Sequence, residues 1–249
     1  MARQRIEIRT EDGVCPAWEL HPDGKGPLPG VILFMDGIGM RPALVEMGER
    51  LANGGYHVLL PDMFYRAGPY EPMNAKTVFT DPAQRAELFS RFIPTVTVAN
   101  VMRDTRVFLD HLAQSPQVNQ KAGVGTTGYC MGGRLSFLAA GNFPDRIVAA
   151  AAFHPGGLVT DAPDSPHLLA PKIHARIYVA GAIEDANFTD EHKARLVKAL
   201  TAANVRHVVE TYPARHGWVP PDTAVHDPEQ AERHWKALFE LFGSTLSAG

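Results

Sequence analysis

The 249-residue chain has only two cysteines, Cys15 and Cys130, too few for a disulfide framework. No apolar run is long enough to cross a bilayer, and the polar, charged opening over residues 1–7 is not typical of a signal peptide. A net charge of −3 offers neither a basic face for nucleic acid nor a polybasic patch for a membrane. We therefore expect a cytoplasmic protein with no nucleic-acid or membrane partner, present as a monomer or a small homo-oligomer.

The patterns of common cofactor sites are also missing. Histidine, cysteine and aspartate form no short ligand pair with the spacing of a metal site, and no glycine-rich phosphate loop precedes a helix. We therefore expect no metal and no cofactor. The composition, 45% apolar and 20% charged, is ordinary for a globular protein. No internal repeat is visible, so the whole of residues 1–249 is predicted to form a single domain.

Apolar runs typical of buried strands alternate with segments of helical spacing. Residues 5–9 and 15–20 predict an antiparallel hairpin at the sheet edge. The later strands are predicted at 30–35, at 57–60, from 124 up to the turn at 128–133, and at 147–153, 173–180 and 207–212. Helices are predicted at 43–53, 95–113, after 130, at 190–203 and from 227 onwards. This alternation predicts an α/β fold, a three-layer α/β/α sandwich around a mostly parallel sheet.

An irregular excursion interrupts this alternation between residues 67 and 94. Four prolines break it, and the only helical segment predicted within it is short, at 83–92. A long irregular segment after a central strand is typically a lid or a pocket wall.

The pattern Gly-x-Cys-x-Gly-Gly at residues 128–133 follows an apolar approach and precedes an apolar helical run. This is the nucleophile-elbow pattern, with Cys130 where serine is more usual. Gly128 and Gly132 leave room for a sharp reversal of the chain. Cys130 would then lie at a helix N-terminus, where free N–H groups favour developing negative charge. The alternative is a buried structural cysteine.

Polar residues follow the predicted strands at corresponding positions. They are Asp36, Arg66, Cys130, His154, Asp185 and His216. Because parallel strands place their carboxyl ends at one edge of a sheet, these side chains are expected to meet there and to form an active site.

Three of these residues make a catalytic set. The order Cys130, Asp185, His216 is the α/β-hydrolase order of nucleophile, acid and base. An imidazole can take the thiol proton and return it to a leaving group, and a carboxylate behind it fixes its tautomer. Glu184 competes with Asp185 for that position. The backbone N–H groups of Met131 and Gly37 are expected to bind the oxyanion.

The chain resembles the dienelactone hydrolase family. The matching pieces are residues 128–133, Pro61-Asp62-Met63-Phe64-Tyr65-Arg66, Asp185 after its strand, and His216-Gly217, and the resemblance covers roughly residues 5 to 242. It implies an α/β-hydrolase fold without a large cap domain, and hydrolysis of lactones and esters without a cofactor.

The resemblance also implies two further roles. An acidic residue after the early strand, here Asp36, would help to generate the thiolate, where the family's best-known members carry Glu. Arg66 would meet a substrate carboxylate. The residues alone are equally consistent with a structural role for Asp36, as a carboxylate in the turn after the strand. For Arg66 the alternatives are a solvated loop charge and an ion pair with Asp36. Phe64, Tyr65 and Trp218 are candidates for the wall of an acyl pocket, although core packing is the commoner role of such side chains.

The predicted function is hydrolysis of a small lactone or carboxylic ester through a Cys130–His216–Asp185 triad and a thioester. The alternatives are a general carboxylesterase of the same fold, a small-molecule-binding protein without turnover, and a thiol redox sensor that uses Cys130.

Overall fold

Eight strands form one sheet in the computed structural model, which describes residues 1–246. The strands are β1 (Ala2–Thr10), β2 (Gly13–His21), β3 (Gly30–Phe34), β4 (His57–Pro61), β5 (Val124–Tyr129), β6 (Ile147–Phe153), β7 (Arg176–Ala182) and β8 (His207–Tyr212). They lie in the order β1-β2-β4-β3-β5-β6-β7-β8. β1 and β2 pair antiparallel, β2 pairs antiparallel with β4, and all the pairs from β4 to β8 are parallel.

The helices alternate with the parallel strands. They are α1 (Pro42–Asn53), α2 (Pro82–Glu87), α3 (Val98–Gln114), α4 (Met131–Asn142), α5 (Asp190–Ala202) and α6 (Pro228–Gly243). Asp227 caps α6 by accepting from the N–H of Gln230, as the sequence Asp-Pro-Glu-Gln predicts. The helix predicted from residue 95 begins only at Val98, because Thr97 is its N-cap.

α4 and α6 cover opposite faces of the sheet. A Cβ atom on Gly125 of β5 would lie 2.8 Å from Leu246, just past α6, whereas one on Gly128 would lie 2.3 Å from the backbone of α4. Side chains three residues apart in a strand point to opposite faces. β3 and β4 are buried along their whole length. The predicted α/β fold, with a mostly parallel sheet and no large cap domain, is confirmed.

The excursion after β4 is mostly short turns of helix. α2 runs into a π-helical turn at Leu88–Phe92 and a 3-10 turn at Ile93–Thr95, close to the predicted short helix. Its buried part is an aromatic cluster in which the Phe92 ring lies 5.2 Å from Phe64 and 5.1 Å from Tyr70. The excursion therefore packs against the sheet edge where the polar residues collect. None of the helices in residues 1–246 is long and apolar enough to span a membrane.

Candidate active site

The turn between β5 and α4 holds Cys130 in a strained backbone conformation. Its φ is 52° and its ψ is −115°, in the positive-φ region that residues with a Cβ rarely adopt. The Cys130 N–H donates to the carbonyl of Phe153 (3.0 Å), and its own carbonyl accepts from the N–H of Arg134 (3.3 Å). This is the geometry of a nucleophile elbow, which lifts the side chain clear of the sheet.

Two glycines make this turn possible. A Cβ atom on Gly132 would lie 2.3 Å from the carbonyl oxygen of Phe34 and 2.6 Å from that of Met35. One on Gly128 would lie 2.3 Å from the carbonyl carbon of Gly132. Since these neighbours are backbone atoms, they cannot move aside as a flexible side chain can. The first turn of α4 therefore reaches the end of β3 only because both positions lack a side chain.

His216 and Asp185 are directly bonded. The Nδ1–H of His216 donates to Oδ2 of Asp185 over 2.7 Å, and only 1% of the Asp185 side chain is exposed. The other Asp185 oxygen accepts from the backbone N–H (2.9 Å) and the side-chain amide (3.2 Å) of Asn187. Burial raises the pKa of Asp185, but the bonds from His216 and Asn187 outweigh it and hold this pKa below its usual value. Glu184, the competing carboxylate, is exposed.

Cys130 lies close to the His216 ring. Burial lowers the pKa of His216, but hydrogen bonds and charge from Asp185 and from Cys130 overcome it and raise this pKa to about 10. The Cys130 side chain is half-buried, neither sealed in the core nor fully in solvent. The structure thus brings Cys130, the His216 imidazole and the Asp185 carboxylate together at one edge of the sheet.

The two expected oxyanion donors are neighbours. A Cβ atom on Gly37 would lie 3.9 Å from the Cβ of Met131. Among the hydrogen bonds of residues 1–246, the N–H groups of both residues remain without an acceptor. Met131 is the first residue of α4, so its N–H points out of the helix N-terminus. These two donors are available to negative charge that develops beside Cys130.

Asp36 does not lie free beside the thiol. Its two oxygens accept from the Arg41 guanidinium over 2.8 and 2.9 Å, and one also accepts from the N–H of Ile38 over 3.0 Å. Only 3% of Asp36 is exposed. These bonds leave the predicted role as a helper that contacts Cys130 without support, because both oxygens already hold a buried cation.

Arg66 and Tyr65 are likewise engaged elsewhere. The Arg66 guanidinium donates to Asp104 on α3 (2.7 and 2.8 Å) and to Asp12 in the β1–β2 turn (2.7 Å), and the Tyr65 hydroxyl donates to Asp104 (3.1 Å). These bonds tie the loop after β4 to the edge hairpin. They leave the predicted contact of Arg66 with a substrate carboxylate without support, because its donors already have carboxylate partners.

The predicted aromatic wall is buried instead. Phe64 and Trp218 are both fully buried. Trp218 stacks on Tyr212 with ring centroids 5.1 Å apart, and its edge meets His154 at 4.8 Å. His154 in turn lies 5.0 Å from the ring of His216. Trp218 therefore packs on His154, which packs on the His216 ring, and both Trp218 and His154 are buried.

The residues that sequence reasoning missed are Arg41 and Asp222. Arg41 binds Asp36 and also Asp222, which lies 181 positions further along the chain. No local pattern could have linked them. Within residues 1–246 no group of three or more potential ligand side chains is arranged to hold a metal ion.

The parallel sheet, the strained cysteine turn and the Asp–His pair at one edge define an α/β-hydrolase fold. Comparison with known proteins gives the same class. The crystal structure of a "Putative Dienelactone Hydrolase" from Klebsiella pneumoniae superimposes with a TM-score of 0.84 at 24% identity, over 97% of this chain and 98% of that one. At this identity the likeness shows the fold.

The model of the dienelactone hydrolase family matches residues 16–246, so the chain belongs to this family of hydrolases. A "Putative carboxymethylenebutenolidase" from Synechocystis sp. is 27% identical over 97% of this chain and 96% of its own length. A carboxymethylenebutenolidase from Rhodococcus opacus is 24% identical over 98% and 92%. The family predicted from the sequence motifs is confirmed.

Proposed function

We propose that this chain hydrolyses small lactones or carboxylic esters by acyl transfer through Cys130. The observation that carries the proposal is the His216 ring, which donates to buried Asp185 over 2.7 Å and lies close enough to Cys130 for the sulfur to help raise the pKa of His216. The relatives named carboxymethylenebutenolidase support a lactone as substrate.

The reaction follows from this arrangement in two steps. The Cys130 thiolate attacks the substrate carbonyl carbon, and the N–H groups of Met131 and Gly37 bind the resulting oxyanion. The C–O bond then breaks, the leaving oxygen takes a proton from the His216 imidazolium, and a thioester remains on Cys130. In the second step His216 takes a proton from water, the hydroxide attacks the thioester, and the C–S bond breaks to release the acid and the thiolate.

Asp185 acts on this cycle through His216. Its carboxylate accepts from Nδ1–H, which leaves Nε2 as the nitrogen available to the sulfur, the leaving group and the water. Because Asp185 is almost completely buried, its charge is poorly screened and favours the imidazolium. Asn187 satisfies the second oxygen and holds the carboxylate in place.

A pulse of nitrophenyl acetate followed by intact-mass measurement tests the proposal. The wild-type protein and Cys15→Ala should each carry one acetyl group, whereas Cys130→Ala should carry none and release nitrophenolate no faster than buffer. Cys15 is the matched control because it is completely buried and burial raises its pKa.

The rival functions predict other results. A binding protein without turnover gives no adduct in any of the three proteins, and a redox sensor gives reversible oxidation of Cys130 without acylation. An acetyl group found on Cys130→Ala would show that the nucleophile lies elsewhere.

A further inference from the structure

Residues 36–41, here called the oxyanion loop, connect β3 to α1 and contain Gly37. We infer that Arg41 is a positioning residue, which fixes the N–H of Gly37 at the reacting carbonyl and locks the oxyanion loop to the segment that follows His216. The inference rests on the proposed function, since it assigns the support of that same site. It also gives Asp36 a role other than activation of the thiol.

The Arg41 guanidinium uses all five of its N–H donors. Nη1 donates to Oδ1 of Asp36 (2.8 Å) and to the carbonyl of Gly39 (3.1 Å). Nη2 donates to Oδ2 of Asp36 (2.9 Å) and to Oδ1 of Asp222 (3.1 Å). Nε donates to Oδ2 of Asp222 (2.6 Å). A lysine offers three donors on one nitrogen and cannot bind two carboxylates by such forks.

These bonds bracket Gly37 on both sides. Arg41 holds the side chain of Asp36, the residue before Gly37, and the carbonyl of Gly39, two residues after it. Asp36 itself accepts from the N–H of Ile38 (3.0 Å), and its carbonyl accepts from Gly39 (3.3 Å). The peptide groups around Gly37 are thereby fixed by neighbours, while the Gly37 N–H stays free to bind a ligand.

Asp222 carries the connection to the catalytic histidine. It lies in the segment between His216 and α6, and its neighbour Thr223 donates to the carbonyl of Gly217 over 2.8 Å. Gly217 directly follows His216. Arg41 therefore joins the loop that binds the oxyanion to the loop that carries the general base, although the two are far apart along the chain.

The charge of Arg41 and of its two carboxylate partners restricts movement between the two loops. Only 3% of Arg41 is exposed. Burial lowers the pKa of Arg41, but Asp36 and Asp222 raise it well above its usual value, so the guanidinium is always charged. A change in the shape of the oxyanion loop would separate the buried charges of Arg41 and Asp36, and a movement of the whole loop would separate buried Arg41 from part-exposed Asp222. Small displacements of the Gly37 N–H are therefore costly, which is what a preformed oxyanion site requires.

Two reactions of the same sulfur separate this role from thiol activation. Acylation by nitrophenyl acetate passes through an oxyanion and needs the Gly37 N–H. Alkylation by iodoacetamide displaces iodide from a CH₂ carbon in one step, forms no oxyanion and needs only the thiolate. We expect Arg41→Lys to slow single-turnover acylation by at least about tenfold, since loss of one oxyanion donor costs ~10²–10³-fold. Alkylation should keep its rate and its pH profile.

The controls come from the same chain. Arg50→Lys makes the same change on α1 in an exposed fork with Glu232, and it should leave both reactions unchanged. Folding is read from the alkylation product itself, because buried Cys15 is labelled only if the chain opens. If Arg41→Lys is labelled twice, it has unfolded, and Asp222→Ala is used in its place. This variant removes only the part-exposed partner of Arg41 and should slow acylation by about threefold to tenfold.

Each result is decisive. Equal slowing of acylation and alkylation, or a shifted alkylation pH profile, would mean that Arg41 tunes the thiol and would overturn the inference. If Arg41→Lys is labelled once and is therefore folded, acylation within twofold of the wild-type rate would also overturn the inference. If Arg41→Lys is unfolded, the same result for singly labelled Asp222→Ala would overturn it. Wild-type protein that is alkylated but never acylated would instead refute the proposed function.

Discussion

The Asp185–His216 bond makes a prediction that does not depend on any particular substrate. Asp185→Asn removes the negative charge that the 2.7 Å bond places against the imidazole, in a site where only 1% of the carboxylate side chain is exposed. The imidazolium then loses its main partner while its burial, which favours the neutral ring, remains. Because the His216 ring lies close to Cys130, the pH dependence of Cys130 alkylation should report this change.

The size of this effect can be worked from the bond. A hydrogen bond to a charged group contributes about 1.5–3 kcal/mol, and one pKa unit corresponds to about 1.4 kcal/mol. The pKa of His216 should therefore fall by about one to two units in Asp185→Asn. The step in the pH profile of Cys130 alkylation by iodoacetamide that reports the ionisation of His216 should move down by the same amount.

The assay is the rate of alkylation as a function of pH, followed by intact mass. Glu184→Gln is the matched control, because Glu184 is the adjacent carboxylate, is exposed and makes no bond to His216. Its profile should coincide with that of the wild type. A coincident profile for Asp185→Asn, or an equal shift for Glu184→Gln, would refute the assignment of Asp185 as the partner of the base.

Two further predictions concern stability. Gly132→Ala should lower the free energy of unfolding in urea by about 1–3 kcal/mol or more. The reason is that the new Cβ would lie 2.3 and 2.6 Å from two backbone oxygens. Gly243→Ala is the control, because open space surrounds that Cβ and the free energy of unfolding should stay nearly unchanged. Burial lowers the pKa of His234 to about 3. Between this value and the unfolded pKa of about 6.5, only the unfolded chain binds a proton at this imidazole. The free energy of unfolding should therefore fall as the pH drops from about 6.5 toward 3. His234→Gln should remove about 2 kcal/mol of that loss between about pH 7 and pH 5, and an unchanged pH dependence would count against a neutral buried imidazole.

Much of the fold could be predicted from local patterns, because strands and helices are encoded by apolar spacing and turn residues close together in the chain. The cysteine turn is an example. Two glycines and a cysteine at fixed spacing, after one apolar run and before another, specify the elbow. Asp185 and His216 could be located because parallel strands send their carboxyl ends to one edge. Element ends were less predictable: the strand expected from residue 173 begins only at Arg176, after a 3-10 segment.

The partners of individual charges could not be predicted in this way. The sequence alone indicated an alternation of strands and helices, a tight turn at Cys130 and the order of the three residues proposed for catalysis. Only the tertiary structure decided that Asp36 binds Arg41, that Arg66 binds Asp12 and Asp104, and that Trp218 is buried against His154. The physical reason is that an ion pair or a stacked ring depends on where loops from distant parts of the chain meet, and that is fixed by the packing of the whole molecule.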